Sequence, residues 1–197
     1  MNRYTYIYLL SLIYIYKMAH LVVIYGPMFS GKSTELLRRV RRYGIAFGSN
    51  NILCVKARKD NRYSITSIST HDQASIKAVS CVKLNDLDDW QNYNVIAIDE
   101  GQFFDDIVPF TKMLLECGKK VIVSGLDGDF QMKPFKNNIL DLIPLANESY
   151  KLNAVCMICK EDAPFTKRTT ANTQQEVVGG DKMYMATCRK CHSLKKI

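Results

Sequence analysis

The segment that most constrains the fold is GPMFSGKST, residues 26–34, because it lies between an apolar run and a helical pattern. Residues 26–33 fit the spacing G-x-x-x-x-G-K-[ST], in which backbone N–H groups surround nucleotide phosphates at the start of a helix. Residues 21–25 before it are apolar and rich in β-branched side chains, and residues 33–43 after it have helical periodicity. The segment therefore predicts a strand, a phosphate-binding loop and a helix in that order.

Two side chains of this loop have expected roles of their own. The Lys32 ammonium would reach the terminal phosphates, and the Ser33 hydroxyl would ligate Mg²⁺. The residues that we expect around the phosphates of ATP are Gly26, Pro27, Met28, Phe29, Ser30, Gly31, Lys32 and Ser33. The alternative is a glycine-rich turn with an accidental lysine, but the flanking strand and helix favour the phosphate loop.

Length and charge restrict the function only partly. A chain of 197 residues with 47% hydrophobic residues forms one domain with a proper core and has room for a small lobe. The formal net charge of +8 indicates an anionic partner, which ATP satisfies as well as nucleic acid does. The run RRVRR, residues 38–42, could contact nucleic acid, but on the helix after the loop it is more typical of a solvated face.

The N-terminal stretch MNRYTYIYLLSLIYIYK differs from the rest of the chain. Residues 4–16 form an uncharged apolar run with the length of a signal-peptide core, too short to span a bilayer. No small-residue cleavage site follows, so we interpret residues 1–17 as an extension outside the fold, with no membrane anchor, and Met18 could be the working start. An ATP-dependent chain rich in free cysteines belongs in a reducing compartment, so the sequence predicts a cytoplasmic protein.

Beyond the loop, strand-like and helix-like segments alternate. The predicted strands cover residues 51–57, 78–82, the start of 93–104, and 119–126. A helix that stops at a glycine is predicted within residues 106–120. This alternation predicts an α/β fold, with a P-loop NTPase-like parallel sheet over residues 18–152. Cysteines, threonines and glycines replace apolar runs after Leu152, so residues 153–197 are expected to form a smaller zinc-binding lobe that carries a substrate-closing loop.

A pair of carboxylates follows the buried strand in YNVIAIDEGQFF. Asp99 ends the strand and would hold the Mg²⁺ water shell opposite Ser33. Glu100, one residue further, could accept a proton from an attacking hydroxyl. The alternatives are an acidic turn after a strand, and the Asp-Glu pair of motor ATPases and helicases, in which the glutamate activates water. The pair therefore indicates γ-phosphate chemistry and leaves the acceptor open.

Two C-x-x-C pairs, CMIC and CRKC, predict a tetrahedral zinc site formed by Cys156, Cys159, Cys188 and Cys191. Four thiolates leave no open coordination position, so the metal is expected to be structural and to pin the long loop between the pairs. His192 could compete as a ligand, but the shell is complete without it. The remaining cysteines, Cys54, Cys81 and Cys117, lie in or beside apolar segments and are expected in the core.

Taken in order, these motifs resemble those of the type II thymidine kinase family, found in animals, many bacteria and large DNA viruses. The resemblance covers roughly residues 20–192 and rests on GPMFSGKST, KDNRY, THD, IDEGQFF, LDGDFQMKPF, CMIC, TKR, VVGGDKMY and CRKC. It implies transfer of the ATP γ-phosphoryl group to the 5′-hydroxyl of thymidine, which gives thymidine monophosphate and ADP. It also implies Mg²⁺, a structural zinc and a homotetramer or dimer, with no obligatory nucleic acid.

For the phosphate side, the resemblance implies that Glu100 is the general base on the 5′-hydroxyl. Lys32 and Arg62 would stabilise the charge that develops during transfer. Besides the loop of residues 26–33, the ATP and Mg²⁺ site would comprise Asp60, Asn61, Arg62, Asp99, Glu100, Gly101 and Gln102.

For the nucleoside side, the resemblance implies that Phe103 and Phe130 sandwich the thymine ring. Met28, Leu126 and Thr166 would surround its 5-methyl group, although Met28 and Leu126 alone are equally consistent with core packing. The residues that would close over the base and sugar from the zinc-pinned loop are Val177, Val178, Gly179 and Tyr184.

One residue departs from the family pattern, and two other functions remain open. Asp129 stands in LDGDF where small polar residues are common, which could change how tightly substrate is bound. The first rival function is a nucleic-acid-dependent ATPase with a zinc ribbon, which the net charge of +8 favours. The second is a zinc-dependent module that binds a nucleotide without turning it over. Thymidine and ATP are the partners that the resemblance implies.

Overall fold

The computed structural model describes residues 19–59, 67–69, 75–136, 139–172, 174–175, 179 and 183–194. Five of the predicted site residues lie outside these ranges, and their roles stay predictions: Asp60, Asn61, Arg62, Val177 and Val178. The N-terminal extension of residues 1–17 also lies outside the described residues.

The largest element is a six-stranded sheet in the order β5-β2-β6-β7-β1-β8, in which every described pair of neighbours is parallel. Its strands are β1 (His20–Gly26), β2 (Ile52–Ala57), β5 (Val79–Cys81), β6 (Val95–Asp99), β7 (Lys120–Leu126) and β8 (Glu148–Lys151). A short antiparallel pair, β3 (Ser67–Ser69) and β4 (Ser75–Lys77), precedes β5. This sheet, with helices between its strands, confirms the predicted mixed α/β class.

Helices cover both faces of the sheet, because alternate residues of its central strands point to opposite sides. Val22 and Ile24 of β1 pack with Leu36 of helix α1 (Lys32–Phe47). Leu21 and Val23 pack in a separate cluster with residues of helix α2 (Ile107–Glu116). Burial on both faces explains why the central strands read as continuous apolar runs.

The predicted elements of the core agree with the structure, with one helix longer than expected. Helix α1 continues past Tyr43 to Phe47, whose ring centroid lies 6.0 Å from that of Tyr43. It ends at Gly48, which has a positive φ of 81°. Helix α2 ends before Gly118, which has a φ of 73°, as the glycine stop predicts. Among the described residues, no helix has the length and apolar character needed to cross a bilayer.

The prediction for Cys117 is wrong, whereas those for Cys54 and Cys81 are confirmed. Cys54 and Cys81 are buried in the sheet, but Cys117 is exposed at the C-cap of α2. The last turn of an amphipathic helix presents one side to solvent, and the cysteine falls on that side rather than on the apolar one.

The C-terminal elements are short. They are β9 (Ala154–Val155), β10 (Asp162–Ala163), β11 (Phe165–Arg168), β12 (Tyr184–Thr187) and helix α3 (Arg189–His192). β9 pairs with β10 and β11 pairs with β12, both antiparallel. Among the described residues, one buried cluster of this region consists of Ala154, Cys156, Ala163, Ala186 and Cys191, with Phe29, Ile158 and Cys188 packed against it.

Candidate active site

The predicted phosphate residues that the structure describes lie at one edge of the sheet. β1 ends at Gly26, β6 at Asp99 and β7 at Leu126, and the three strands are parallel neighbours in the order β6-β7-β1. Their carboxyl ends therefore meet at the same edge, which is where ligands bind in open parallel α/β sheets.

The backbone of the loop between β1 and α1 requires its glycines. Gly26 has a φ of 153°, and a Cβ at this position would lie 2.3 Å from the carbonyl oxygen of Leu152. Gly31 caps helix α1 with a φ of 81°. Phe29 between them has a positive φ of 66°, which is uncommon for a residue with a side chain. This tight path places residues 26–31 directly before the first turn of α1.

Lys32 is turned into the loop. Its side chain is buried, and its Nζ donates a hydrogen bond of 2.6 Å to the carbonyl oxygen of Pro27. The Ser30 hydroxyl donates to the same carbonyl oxygen over 2.9 Å. The ammonium therefore lies within the loop, where a phosphate group at the start of α1 would meet both it and the helix N-terminus.

Asp99 joins the loop to two strands of the sheet. The Ser33 hydroxyl donates to Asp99 Oδ2 over 3.0 Å, and the Ser124 hydroxyl donates to Asp99 Oδ1 over 2.5 Å. Sequence reasoning missed Ser124, although it is the one hydroxyl in the buried run of β7. Two hydroxyl donors orient a carboxylate that is itself 6% exposed. Oxygen ligands of this kind suit Mg²⁺, so Ser33 and Asp99 could hold that ion together.

Glu100 is buried and held by one neighbouring side chain. It has a positive φ of 55°, which turns the chain sharply at the end of β6. Gln102 donates from Nε2 to Glu100 Oε2 over 2.6 Å, and its Oε1 accepts from the Leu126 N–H over 2.9 Å. A Cβ at Gly125 would lie 2.4 Å from that same Oε1, so a glycine is required beside it. The described side-chain contacts of Gln102 thus orient the carboxylate of Glu100.

Met28, Leu126 and Thr166 are brought to the same region from distant parts of the chain. The Met28 N–H donates to the Thr166 hydroxyl over 2.9 Å, and both residues are buried. Leu126 is the partner of Gly26 in the parallel pairing of β7 with β1. The structure therefore places these three residues around the start of the loop.

The aromatic residues predicted for the nucleoside are each contacted by a cation. Lys59 Nζ lies 5.6 Å from the ring centroid of Phe103, and the Arg168 guanidinium carbon lies 3.9 Å from that of Phe130. Arg168 also donates to the Tyr184 hydroxyl over 2.6 Å. Lys59 and Arg168 belong to the quoted motifs KDNRY and TKR, but sequence reasoning gave neither a role, because neither carries a spacing signal of its own.

Two further residues lie near this group. The ring Nε2 of His192 is 3.1 Å from the carbonyl oxygen of Phe130, and its ring packs edge-on against Phe165 with centroids 5.9 Å apart. Gly179 lies against Met183, whose Sδ would be 2.5 Å from an added Cβ. His192 thus contacts the polypeptide beside the predicted nucleoside site rather than the cysteine cluster.

The four predicted zinc ligands form a single cluster. The Sγ atoms of Cys156, Cys159, Cys188 and Cys191 all lie within 4.8 Å of one another. Tetrahedral coordination at a Zn–S distance of about 2.3 Å separates the sulfur atoms by about 3.8 Å. The Sγ atoms of Cys159 and Cys188 are already 3.6 Å apart. The cluster could therefore bind zinc with little rearrangement.

Backbone groups around the cluster favour ionised sulfur. Burial alone raises the pKa of the Cys156 thiol, but N–H groups of Cys159, Cys188 and Ile158 outweigh it and lower that pKa to about 6. The pKa of Cys188 is also lowered, mainly by the Cys191 N–H, which donates to its Sγ over 3.4 Å. Burial and the neighbouring thiols raise the pKa of Cys191 to about 12, and the pKa of Cys159 is also raised, so the N–H groups favour ionised sulfur at two of the four cysteines. N–H donors aimed at sulfur are a feature of thiolates that bind metal, so the donor set fits zinc.

Together, the parallel sheet, the loop at its carboxyl edge and the four-cysteine cluster define a mixed α/β protein with a candidate metal centre. The family model for thymidine kinase matches residues 19–192. The chain is 53% identical to a thymidine kinase of variola virus, 52% identical to one of vaccinia virus strain Western Reserve, and 51% identical to one of monkeypox virus. Each alignment spans 174 residues, which is 88% of this chain and 96% of the relative. The chain belongs to the thymidine kinase family.

Proposed function

We propose that this protein is an ATP:thymidine 5′-phosphotransferase, which makes thymidine monophosphate for DNA synthesis by salvage. The observation that carries the proposal is the family match over residues 19–192, which includes every element of the site described above. The geometry at the edge of the sheet supports the same activity, because it supplies a phosphate loop, a buried carboxylate pair and a separate group of aromatic residues.

ATP would bind with its phosphates against the P-loop of residues 26–33. Lys32 and the N-terminus of α1 supply positive charge there. Ser33 and Asp99, already in hydrogen-bond contact over 3.0 Å, are the residues that would hold Mg²⁺. Held there, the ion would supply positive charge against the phosphates. Asp60, Asn61 and Arg62 are proposed to face the same phosphates, with the Arg62 fork over the transferring group.

In the transfer step, Glu100 acts as the general base. Its carboxylate takes the proton of the thymidine 5′-hydroxyl as that oxygen forms a bond to the γ-phosphorus of ATP. The bond between the γ-phosphorus and the bridging oxygen breaks, and ADP leaves with the electron pair. Gln102 orients the carboxylate through its 2.6 Å hydrogen bond, so that the base has one position when the nucleoside binds.

Thymidine would bind between the sheet edge and the C-terminal lobe. Phe103 and Phe130 are proposed to stack on the base, with Met28, Leu126 and Thr166 around its methyl group. The covering residues are proposed to be Val177, Val178, Gly179 and Tyr184. Main-chain groups that match the acceptor–donor–acceptor edge of thymine would stay unpaired against cytosine.

The remaining proposals concern the architecture. We propose that residues 18–152 form the nucleotide-binding core and residues 153–197 a zinc-stabilised lobe, with residues 1–17 outside the fold. The four free cysteines of the cluster support a reducing, cytoplasmic setting, since zinc requires reduced cysteines. A homotetramer or dimer is proposed from the family resemblance.

The direct test incubates purified protein with γ-labelled ATP and each of three nucleosides. We expect labelled monophosphate from thymidine and very little product from deoxycytidine. The kcat/KM for deoxyuridine should be lower than that for thymidine, by a factor that corresponds to about 1–3 kcal/mol of transition-state stabilisation, because one methyl contact is lost. Release of labelled inorganic phosphate only when DNA is added would instead indicate the nucleic-acid-dependent ATPase. ATP binding without any turnover would indicate a binding module, and a preference for deoxycytidine would overturn the thymidine assignment alone.

A further inference from the structure

Strand β11 connects the phosphate loop to the predicted nucleoside residues through one of its faces. Thr166 and Arg168 are two residues apart, so they share a face, and both are buried while Phe165 and Lys167 are less so. Thr166 accepts the hydrogen bond from the Met28 N–H. Arg168, at the other end of the same face, contacts Phe130 and Tyr184. One strand face thus spans the distance between the two halves of the site.

Arg168 is 7% exposed, and the groups that it contacts among the described residues are neutral. Among the described residues it has no carboxylate within ion-pair distance. Its guanidinium instead lies against the face of the Phe130 ring, at 3.9 Å from the centroid, and near that of Tyr184, at 5.1 Å. A desolvated cation over aromatic faces is a favourable contact that also fixes the position of the rings.

The same guanidinium holds the backbone that follows β11. Its Nη1 donates to the carbonyl oxygen of Asn172 over 2.9 Å and to that of Gln174, and its Nη2 donates to that of Gln175 over 3.2 Å. Nη2 also donates to the Tyr184 hydroxyl. The planar, multidentate donor set of arginine allows one side chain to hold three carbonyls and a phenol at once, which a lysine ammonium cannot do in this geometry.

Asp129 contacts the same segment through the side chain of Gln175. Its Oδ2 accepts from Gln175 Nε2 over 2.9 Å, while its Oδ1 accepts from the N–H groups of Gln131 and Lys133. Asp129 directly precedes Phe130, so this carboxylate ties the turn that carries the ring to the segment after β11. The departure from the family pattern at this position therefore has a structural role.

We propose that Arg168 is a positioning residue for the nucleoside, and that Asp129 supports it through Gln175. Arg168 holds the Phe130 ring, the Tyr184 hydroxyl and the carbonyls of residues 172, 174 and 175 in one arrangement before the nucleoside binds. This inference rests on the proposed function. Pre-organisation lowers the entropy that must be lost on binding, so its benefit appears in the affinity for thymidine and not for ATP.

The test compares Arg168→Met, Arg168→Lys and the control Arg189→Met in the purified full chain. Arg189 is a matched control, because it also lies over an aromatic ring, at 4.6 Å from the centroid of Phe165, but is exposed. For Arg168→Met we expect the KM for thymidine to rise by about 10- to 100-fold, as several hydrogen bonds from one charged group are lost. The KM for ATP should stay within about twofold, and Arg168→Lys should recover only part of the loss.

A second measurement does not depend on activity. Amide hydrogen exchange of a peptide that covers residues 169–175 should be faster in Arg168→Met than in the wild type, while exchange in β1 is unchanged. Faster exchange in a protein that does not phosphorylate thymidine would leave the positioning role in place and reject the proposed function. Unchanged exchange together with unchanged KM values would overturn the positioning role. An equal rise in both KM values, or faster exchange in β1, would also overturn it, because it would indicate a general loss of structure.

Asp129→Asn tests the proposed contribution of Asp129 through Gln175. The change keeps an oxygen for the N–H groups of Gln131 and Lys133 but can place an amide donor against Gln175 Nε2. We expect a smaller rise in the KM for thymidine, about two- to tenfold, because one hydrogen bond is affected. In Arg168→Met the same change should add less than this, since both residues act on one segment. Fully additive effects would contradict the shared role.

Discussion

The proposed phosphate half and the proposed nucleoside half of the site are built in different ways. The described part of the phosphate half uses one continuous loop and the ends of neighbouring strands of the main sheet. The nucleoside half collects Phe130, Thr166, Arg168 and Tyr184 from separate segments around a lobe whose buried core is small. Residues at the edge of a large sheet are positioned by its strands and need few additional side-chain contacts. The nucleoside half depends on individual side-chain contacts and on its cysteine cluster.

Loss of the metal should have the largest effect, and that effect should fall on the nucleoside half. Among the described residues, the buried cluster near the cysteines consists of three alanines and two cysteines, with Phe29, Ile158 and Cys188 packed against it. So small a cluster needs the metal for its stability. We expect about one zinc per chain in the wild type and close to none in Cys156→Ser, measured by elemental analysis. Thymidine turnover should be lost, while the main sheet stays folded. Cys117→Ser, at an exposed cysteine outside the cluster, should keep both zinc and activity.

Full activity in metal-free Cys156→Ser would contradict this prediction. It would show that side-chain contacts alone hold the nucleoside half.

Replacement of the proposed base should lower the rate of the transfer step without changing how ATP binds. Glu100→Gln keeps the shape of the side chain but cannot accept the proton, so kcat should fall by about 10²–10⁴-fold. ATP affinity should survive, because the Ser33 and Asp99 contact is untouched. Steady-state kinetics and a binding titration with ATP measure the two effects separately. If kcat holds and ATP affinity collapses, Glu100 is a metal ligand and the base lies elsewhere.

The hydrogen bond from Met28 to Thr166 is a direct tie between the two halves. Thr166→Val removes the acceptor and leaves a buried N–H unpaired, which costs about 1–3 kcal/mol. Because the contact is shared, kcat/KM should fall by about tenfold for both substrates, unlike the selective effect expected at Arg168. Thr166→Ser keeps the hydroxyl and should retain most of the activity. A fall in kcat/KM for only one of the two substrates would show that this hydrogen bond stabilises one half only.

A third region should respond to acid without affecting either half. Arg39 of α1 is buried and bonds both Glu35 and Glu148, and its guanidinium lies 4.4 Å from the ring centroid of Tyr150. Hydrogen bonds from Arg38 and Arg39 hold the pKa of Glu35 at about 2, against partial desolvation. The hydroxyl of Tyr150, with His20 and Arg39, lowers the pKa of Glu148 to about 2 from 4.5.

A carboxylate whose pKa is lower in the folded state contributes stability above its unfolded pKa and loses it as the pH falls through the folded value. The contribution of Glu148 should therefore be complete above about pH 5 and disappear between about pH 4.5 and pH 2. Glu148→Gln should lower the free energy of unfolding by about 1 kcal/mol or less near pH 7, since the pair is partly exposed. Urea unfolding at several pH values measures this. A difference that grows on acidification would contradict the sign.

Part of the site could be read from the sequence because it depends on short spacings. The loop of residues 26–33, the strand that ends at Asp99 and the two cysteine pairs each form from neighbours in the chain, and the structure places them where their patterns predict. The side chains that hold them could not be read in this way. Ser124 contacts Asp99 only because β7 lies beside β6 in the sheet. Gln102 was predicted at the site, but its hydrogen bond to the Leu126 N–H of β7, which positions it against Glu100, appears only in the folded chain.

Local periodicity and ligand spacing in the sequence specify the α/β class, the loop between β1 and α1 and the four-cysteine pattern. Three features appear only in the folded chain: Thr166 meets Met28 across 138 positions, Arg168 covers Phe130, and Cys117 faces solvent. Contacts at such separations depend on the order in which strands pack and on which face each side chain occupies. A pattern of neighbouring residues cannot encode these choices, because they are made by the free energy of the whole packed chain.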